Sequence, residues 1–493
     1  NNTAVGYKAG YANTTGANNN FFGYQAGQSN TTGGSNTAMG HNPFSFNTTG
    51  YGNCAFGIQT LYKNTTSNYN TAVGYNALTE NTTGTENVSI GGFTLDANVT
   101  GDYNTAVGTS ALSASTGDAN TAIGRHALKS NTTASGNTAV GYVSLTSNTT
   151  GTNNVALGSN SLQPNTTGSQ NTALGKGASA SNSTGSNNTS VGFEALVSNT
   201  TASNNTAVGS QSLYTITTAS ENTALGYQAG YNATNVEATY VGFKAGYGVT
   251  TAASGTAVGR LALGGNSAGV TGAENVAVGN AAMYVVTSGT DNVAVGALSL
   301  FDNTTGSYNT ALGSDALGNN TTASENTAVG YSASGNNTTG LQNVAIGHNT
   351  ARLTTTGREN TTVGKGAMYY NTTGSYNTSL GKEALQNNTT ASNNTAVGHQ
   401  AGYANTTGTF NTFVGNVAGN SNTTAQRNTF IGHYAGEGNT TGGYGTFVGQ
   451  NSGYLMTTGS KNTILGSFSG NQGGLDIRTS SNNIVLSDGD GNV

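Results

Sequence analysis

Residues 70–86 read N-T-A-V-G-Y-N-A-L-T-E-N-T-T-G-T-E, and residues 309–325 read N-T-A-L-G-S-D-A-L-G-N-N-T-T-A-S-E. These are two copies of one unit. The glycine that closes N-T-A-V-G or a variant of it recurs from Gly6 to Gly466, with 24 gaps of 17 residues, two of 16 and one of 20. Repetition at a fixed short period marks an architecture in which each unit touches only its neighbours. Seventeen residues are too few for a helix pair, and no 3.6-residue apolar pattern runs through them. The sequence therefore predicts an all-β fold, a parallel β-solenoid (β-roll or β-helix) of about 28 coils, with 17 residues and two short strands per coil. Residues 1–470 are expected to form one continuous solenoid, and residues 471–493 an irregular tail or junction.

Side chains alternate across a strand. In N-T-A-V-G, Thr105 and Val107 share one face and Ala106 takes the other. The Thr position becomes Val88, Val155, Val276, Val293 or Val344, and the Val position becomes Ile90, Ile123, Leu157 or Leu174. A face that accepts β-branched and apolar residues is expected to point inward. The Ala and Gly of the same strand (Ala72 with Gly74, Ala139 with Gly141) are then expected to form a smooth outer face, for close packing between chains or, in a single rod, covered by solvent or glycans. Y-x-A-L is expected to be the second strand, its leucines (Leu78, Leu95, Leu112, Leu128, Leu145, Leu162) closing the core. The asparagines that open each strand, Asn70, Asn87, Asn104 and onward, fall in one column that can bond along the axis. N-T-T-G-S is turn chemistry. At about 4.8 Å per stacked strand, 28 coils predict a rod roughly 135 Å long. One coil alone buries too little apolar surface to offset the ordering of its backbone, so the unit has to be stacked.

Composition narrows the function. Charged residues are 7% of the chain, with 14 Lys and Arg scattered among 19 Asp and Glu, a net charge of -5, one Cys and no Trp. Nucleic-acid binding requires clustered basic residues, which the sequence lacks. A single Cys excludes a disulfide scaffold or a Cys-rich zinc site. No apolar run is long enough to span a bilayer. No Ser-His-Asp set or carboxylate pair stands out, so no catalytic residue, metal site or cofactor is expected and the chain reads as a non-enzyme. His41, His348, His399 and His433 share the column after the strand glycine, but neighbouring coils do not both carry His. Asp488, Asp490 and Asn492 have an oxygen-rich spacing seen in calcium loops, for which a tight D-G turn is the better reading. Cys54 replaces the Thr of the strand and is expected to be a small buried hydrophobe.

The strongest chemical signal is the sequon N-x-[ST]. Twenty sequons sit in the loop, at Asn13, Asn30, Asn47, Asn64, Asn81, Asn98, Asn131, Asn148, Asn165, Asn182, Asn199, Asn232, Asn303, Asn320, Asn337, Asn371, Asn388, Asn405, Asn422 and Asn439. These are the expected glycosylation sites, with covalent glycans keeping a weakly charged rod in solution. Sequons at strand-opening positions (Asn87, Asn188, Asn360, Asn377) are expected to face the ladder. The column after the strand glycine holds Tyr7, Tyr24, Tyr75, Tyr142, Tyr227 and Tyr331 among Lys, His, Ser and Arg. It is expected to face outward, where rings can stack on sugars.

At N-V-A-V-G (Asn275–Gly279 and Asn292–Gly296) and N-V-A-I-G (Asn343–Gly347), the strand resembles the S-V-A-I-G repeat in the heads of trimeric autotransporter adhesins. That resemblance implies a left-handed, trimeric, surface-exposed β-roll. The tail segment N-I-V-L-S-D-G-D-G-N resembles junctions that follow such repeats in phage tail-fibre-like proteins. Both resemblances imply an extracellular or cell- or virion-surface location. The chain begins inside a repeat and shows no signal peptide, so it is expected to be a processed or partial chain. The expected function is an extracellular fibre shaft or adhesin stalk, glycosylated on its N-T-T loops and able to self-associate as a homotrimer or end-to-end filament. The alternatives are a phage-type receptor-binding tail-fibre shaft and an ice-binding solenoid with regular Thr arrays.

Overall fold

The computed structural model describes residues 1–234, 237–252, 254–265 and 269–493. Contacts divide the chain into two compact units, Asn1–Val241 and Gly242–Val493. In the first, parallel strands from β1 (Thr3–Val5) to β15 (Thr239–Val241) pair in sequence order. In the second, strands from β16 (Thr256–Val258) to β28 (Thr463–Leu465) do the same. After β28, a short antiparallel hairpin of β29 (Asn471–Gln472) and β30 (Leu475–Asp476) intervenes. β31 (Ile484–Leu486) then pairs with β28 in parallel. The segment expected to be an irregular tail thus resumes the stack. Register is constant, with Thr71 opposite Val88, Ala72 opposite Ser89 and Val73 opposite Ile90. This is a β-solenoid with one coil per repeat.

Each coil carries one strand, not the two expected. Y-x-A-L is a run of turns. Ala77 and Leu78 are both fully buried, and consecutive inward side chains are incompatible with a straight strand. The chain instead enters left-handed backbone at Asn76 (φ 54°) and Leu78 (φ 54°). A bulky residue there is unusual; burial of the leucine side chain offsets the cost, and the leucines do close the core as expected. The ladder continues through these turns. The Asn76 N–H donates to the Ile58 carbonyl one coil back, and the Leu78 N–H to the Thr94 carbonyl one coil on.

The strand faces are the reverse of the expectation. In the parallel strands from Asn20–Tyr24 onward the second residue is buried and the residues on either side of it are half-buried or exposed. Alternation was right and the choice of face was wrong. Ala72, Ala106 and Ala139 line the interior, and Thr71, Val73, Thr105 and Val107 face out. The coil is narrow, so its interior has room for alanine opposite leucine and not for a second row of β-branched side chains. The strand-closing glycine is obligatory. Gly74 has φ +133°, and a Cβ there would lie 2.4 Å from the Gly91 carbonyl oxygen of the next coil.

Where the strand supplies a large inward residue, the turn loses its leucine. Phe413 is fully buried between Gly402 and Gly419, which occupy the leucine column. Phe430 and Phe447 follow, their rings stacked 4.6 Å apart. Phe21 sits likewise against Gly10 and Gly27, and Tyr240 against Gly230.

Candidate functional site

Two asparagine columns run through the coils. In the strand-opening column, the Asn87 backbone N–H donates to Asn70 Oδ1 (2.9 Å), while Asn70 Nδ2 donates to the Gly84 carbonyl (2.9 Å). Asn87, Asn188, Asn360 and Asn377 face this ladder, as expected. In the loop column, Asn81 Nδ2 donates to Asn64 Oδ1 (3.1 Å) and to the same Gly84 carbonyl (2.9 Å). One carbonyl per coil therefore ties the two columns together. In these coils both amide atoms of Asn70 and Asn81 are partnered, which is what makes their burial tolerable.

This placement corrects the expectation that the loop asparagines lie open at the turn. Asn30, Asn47, Asn64, Asn81, Asn98, Asn131, Asn148, Asn165, Asn182, Asn199, Asn303, Asn320, Asn337, Asn371, Asn388, Asn405, Asn422 and Asn439 are all buried. Their Nδ2 atoms, where a glycan would attach, donate to carbonyl and amide oxygens inside the coil. Asn13 and Asn232 are half-buried. The sequence held a signal of this: the same column contains Ile216, Val249, Val286 and Met456, all fully buried. The amide acceptors of Asn199 and Asn439, one coil before Ile216 and Met456, are left without a partner. The threonines of the loop behave differently. Thr82 Oγ1 donates to the Val99 carbonyl of the next coil, and Thr83 is exposed.

The outer surface carries two kinds of column. The column after the strand glycine is mixed and outward, as expected. Tyr7 and Tyr24 stack at 5.2 Å, Tyr24 and His41 at 4.9 Å, and Tyr331 and His348 at 5.3 Å. Arg125 lies over Tyr142, 5.9 Å from the ring centroid. Partial burial, with Arg125 and Lys129 nearby, holds His126 below the ordinary histidine range. Among the described residues no three His, Cys, Asp or Glu side chains gather to hold a metal ion. At the C-terminus, Asp488 Oδ1 accepts the Asp490 and Asn492 N–H groups (both 2.9 Å). This is the tight turn expected there, and the Asn492 hydrogen bonds hold the Asp488 carboxyl below its usual value. In the hairpin, the Arg478 guanidinium donates to both Asp476 oxygens and holds that carboxyl at about 2.

The second outward column is the Thr-x-Val face of the strands, opposite to the inward face expected for it. Ile90, Ile123, Leu157, Leu225, Ile346, Leu380 and Ile431 are exposed there by roughly two-fifths to one-half. Cys54 stands on this face, half-buried and not in the core, and burial pushes its thiol above the ordinary range. Among the described residues no helix is long and apolar enough to cross a membrane. No protein-family model and no curated protein matches this chain.

Proposed function

We propose that this chain is a structural element, the shaft of an extracellular fibre of the adhesin-stalk or tail-fibre kind. The observation that carries the reading is the sameness of the coil-to-coil bonding. Within each unit the strand ladder and the turn ladder repeat coil after coil and the two asparagine columns recur in most coils, while the mixed outer column varies freely. A chain that invests most of its buried polar groups in continuing itself is suited to spanning distance. Glycans on the loop asparagines form no part of this proposal, because eighteen of the twenty are buried.

Electron microscopy of the full chain tests this reading. The expected particle is extended, with a length approaching about 4.8 Å per coil, roughly 135 Å. A compact particle would overturn the shaft. Fusing the chain to an outer-membrane anchor and to a terminal tag should also place the tag well clear of the cell surface, measured by antibody access.

A further inference from the structure

The repeat acts as its own comparison set, since every coil solves the same folding problem. In the column after the strand glycine, a solvent-facing position, Tyr, His, Arg, Lys, Ser, Asn and Gln all occur. The outward column two residues before that glycine's successor, at Val73 and its equivalents, behaves otherwise. Across β1–β28 and β31 it holds only Val, Ile, Leu, Met and Phe. Its partner column at Thr71 holds no charged residue in any of those strands. Both columns face away from the coil interior, so the coil's own core does not demand this restriction. Parallel sheets are found covered on both faces. Here one face is covered by the coil's own turns and the other is bare.

We propose that the Thr-x-Val face of each unit packs against the same face of a second copy of this chain. This rests on the shaft reading and adds its partner. The occupant is argued from period. A partner that covers this strip has to present complementary apolar groups at the coil spacing over a dozen or more coils, and the chain itself presents such an array. The area is sufficient. Three residues at about 3.3 Å and one coil every ~4.8 Å give roughly 50 Å² per coil. The strands β1–β15 then offer about 700 Å², close to the ~800 Å² per partner of a standard stable interface. About half of that footprint is the apolar Val73 column and the rest the mostly threonine Thr71 column. The alanines of the face expected to mediate self-association, Ala72 and Ala139, are interior, so the contact uses the opposite face of the same strands.

The test is the mass of the full chain in solution by sedimentation and light scattering across a concentration series. At least twice the single-chain mass is expected. Replacing four outward isoleucines with lysine (Ile90→Lys, Ile123→Lys, Ile346→Lys, Ile431→Lys) should return it to single-chain mass with its circular dichroism unchanged. The same number of lysines in the mixed column (Tyr75→Lys, Tyr142→Lys, Tyr227→Lys, Tyr331→Lys) should leave the assembly intact. Should the isoleucine variant fail to fold, the native chain still decides. Cys54, the sole cysteine, lies on the face, and its alkylation should slow at least fivefold between dilute and assembled samples. A single-chain mass at every concentration, or equal alkylation rates, overturns the proposal. So does a monomer that shows thermal hysteresis, which would give the face to ice. An extended monomer would sink the paired face and spare the shaft; a compact assembly would do the opposite.

Discussion

The coil of residues 70–86 and the coil of residues 411–427 fill the same interior in opposite ways. In the first, the strand gives Ala72 and the turn gives Leu78. In the second, the strand gives Phe413 and the turn gives Gly419, whose hypothetical Cβ would lie 2.4 Å from the phenyl ring. Neither segment owns the core. What is filled is the space shared by neighbouring coils: Phe413 occupies room left open both by Gly419 of its own coil and by Gly402 of the coil before, as expected of interiors packed to crystal-like density. The two solutions also differ in continuity. Leucines stack as separate aliphatic groups, whereas Phe413, Phe430 and Phe447 form a run of ring contacts at 5.6 and 4.6 Å.

The comparison breaks most sharply at the aromatic coils. Phe430→Ala should open a cavity that no leucine fills, destabilising its region by about 3–5 kcal/mol. Native-state amide exchange should show this as local opening, because long repeat arrays do not unfold in one step. In the alanine-leucine coils the converse change, Ala72→Phe, should cost about 1–3 kcal/mol through overpacking. Adding Leu61→Gly and Leu78→Gly should recover most of that loss. If the triple variant is no more stable than the single one, volume exchange is not the rule. Asn148→Leu and Asn422→Leu test what the two regions share. Each leaves buried amide and carbonyl partners unmet, at about 1–3 kcal/mol per group, and the two losses should agree although the cores differ.

Smaller effects concern the surface. The Cys54 thiol should titrate above an ordinary thiol, since partial burial disfavours the thiolate. Its alkylation rate should therefore rise with pH later than that of the unfolded chain. Its protonated form is favoured by folding, so its contribution to stability declines as pH climbs from the ordinary thiol range through the raised value. Least of all, Asp476→Asn should leave the neutral-pH melting profile unchanged within error, because the Asp476–Arg478 pair is solvent-exposed and exposed ion pairs contribute little. With a carboxyl depressed from 3.8 to about 2, whatever the pair contributes is present above the usual carboxylate range and lost as pH falls through about 2.

The closing glycine alone was enough to read the coil length and stack, and Leu78 and its equivalents were legible as core. The strand's orientation was not. Val107 and Ile123 look like core to any hydrophobicity argument, and Ala106 looks like filler. Only the exchange of Ala for Phe413 against Leu for Gly419 reveals which face is inside, and that requires comparing two columns at once. The second strand misled because Ala77 and Leu78 both face inward through left-handed backbone that leucine rarely adopts. The loop sequons misled because N-T-T-G satisfies a turn and a buried amide ladder equally well. Ile216 and Met456 in that column were the clue. The outward Thr-x-Val face became visible only once the strand had been turned over.

Because most coils offer the next the same amides and carbonyls, an alanine-leucine coil that keeps both asparagines can follow another of its kind. Recombination between near-identical gene segments can then add or remove whole repeats without creating a foreign junction. Reach becomes a heritable quantity adjustable in small, fold-neutral steps, and populations carrying this gene are expected to differ in repeat number more readily than in repeat sequence.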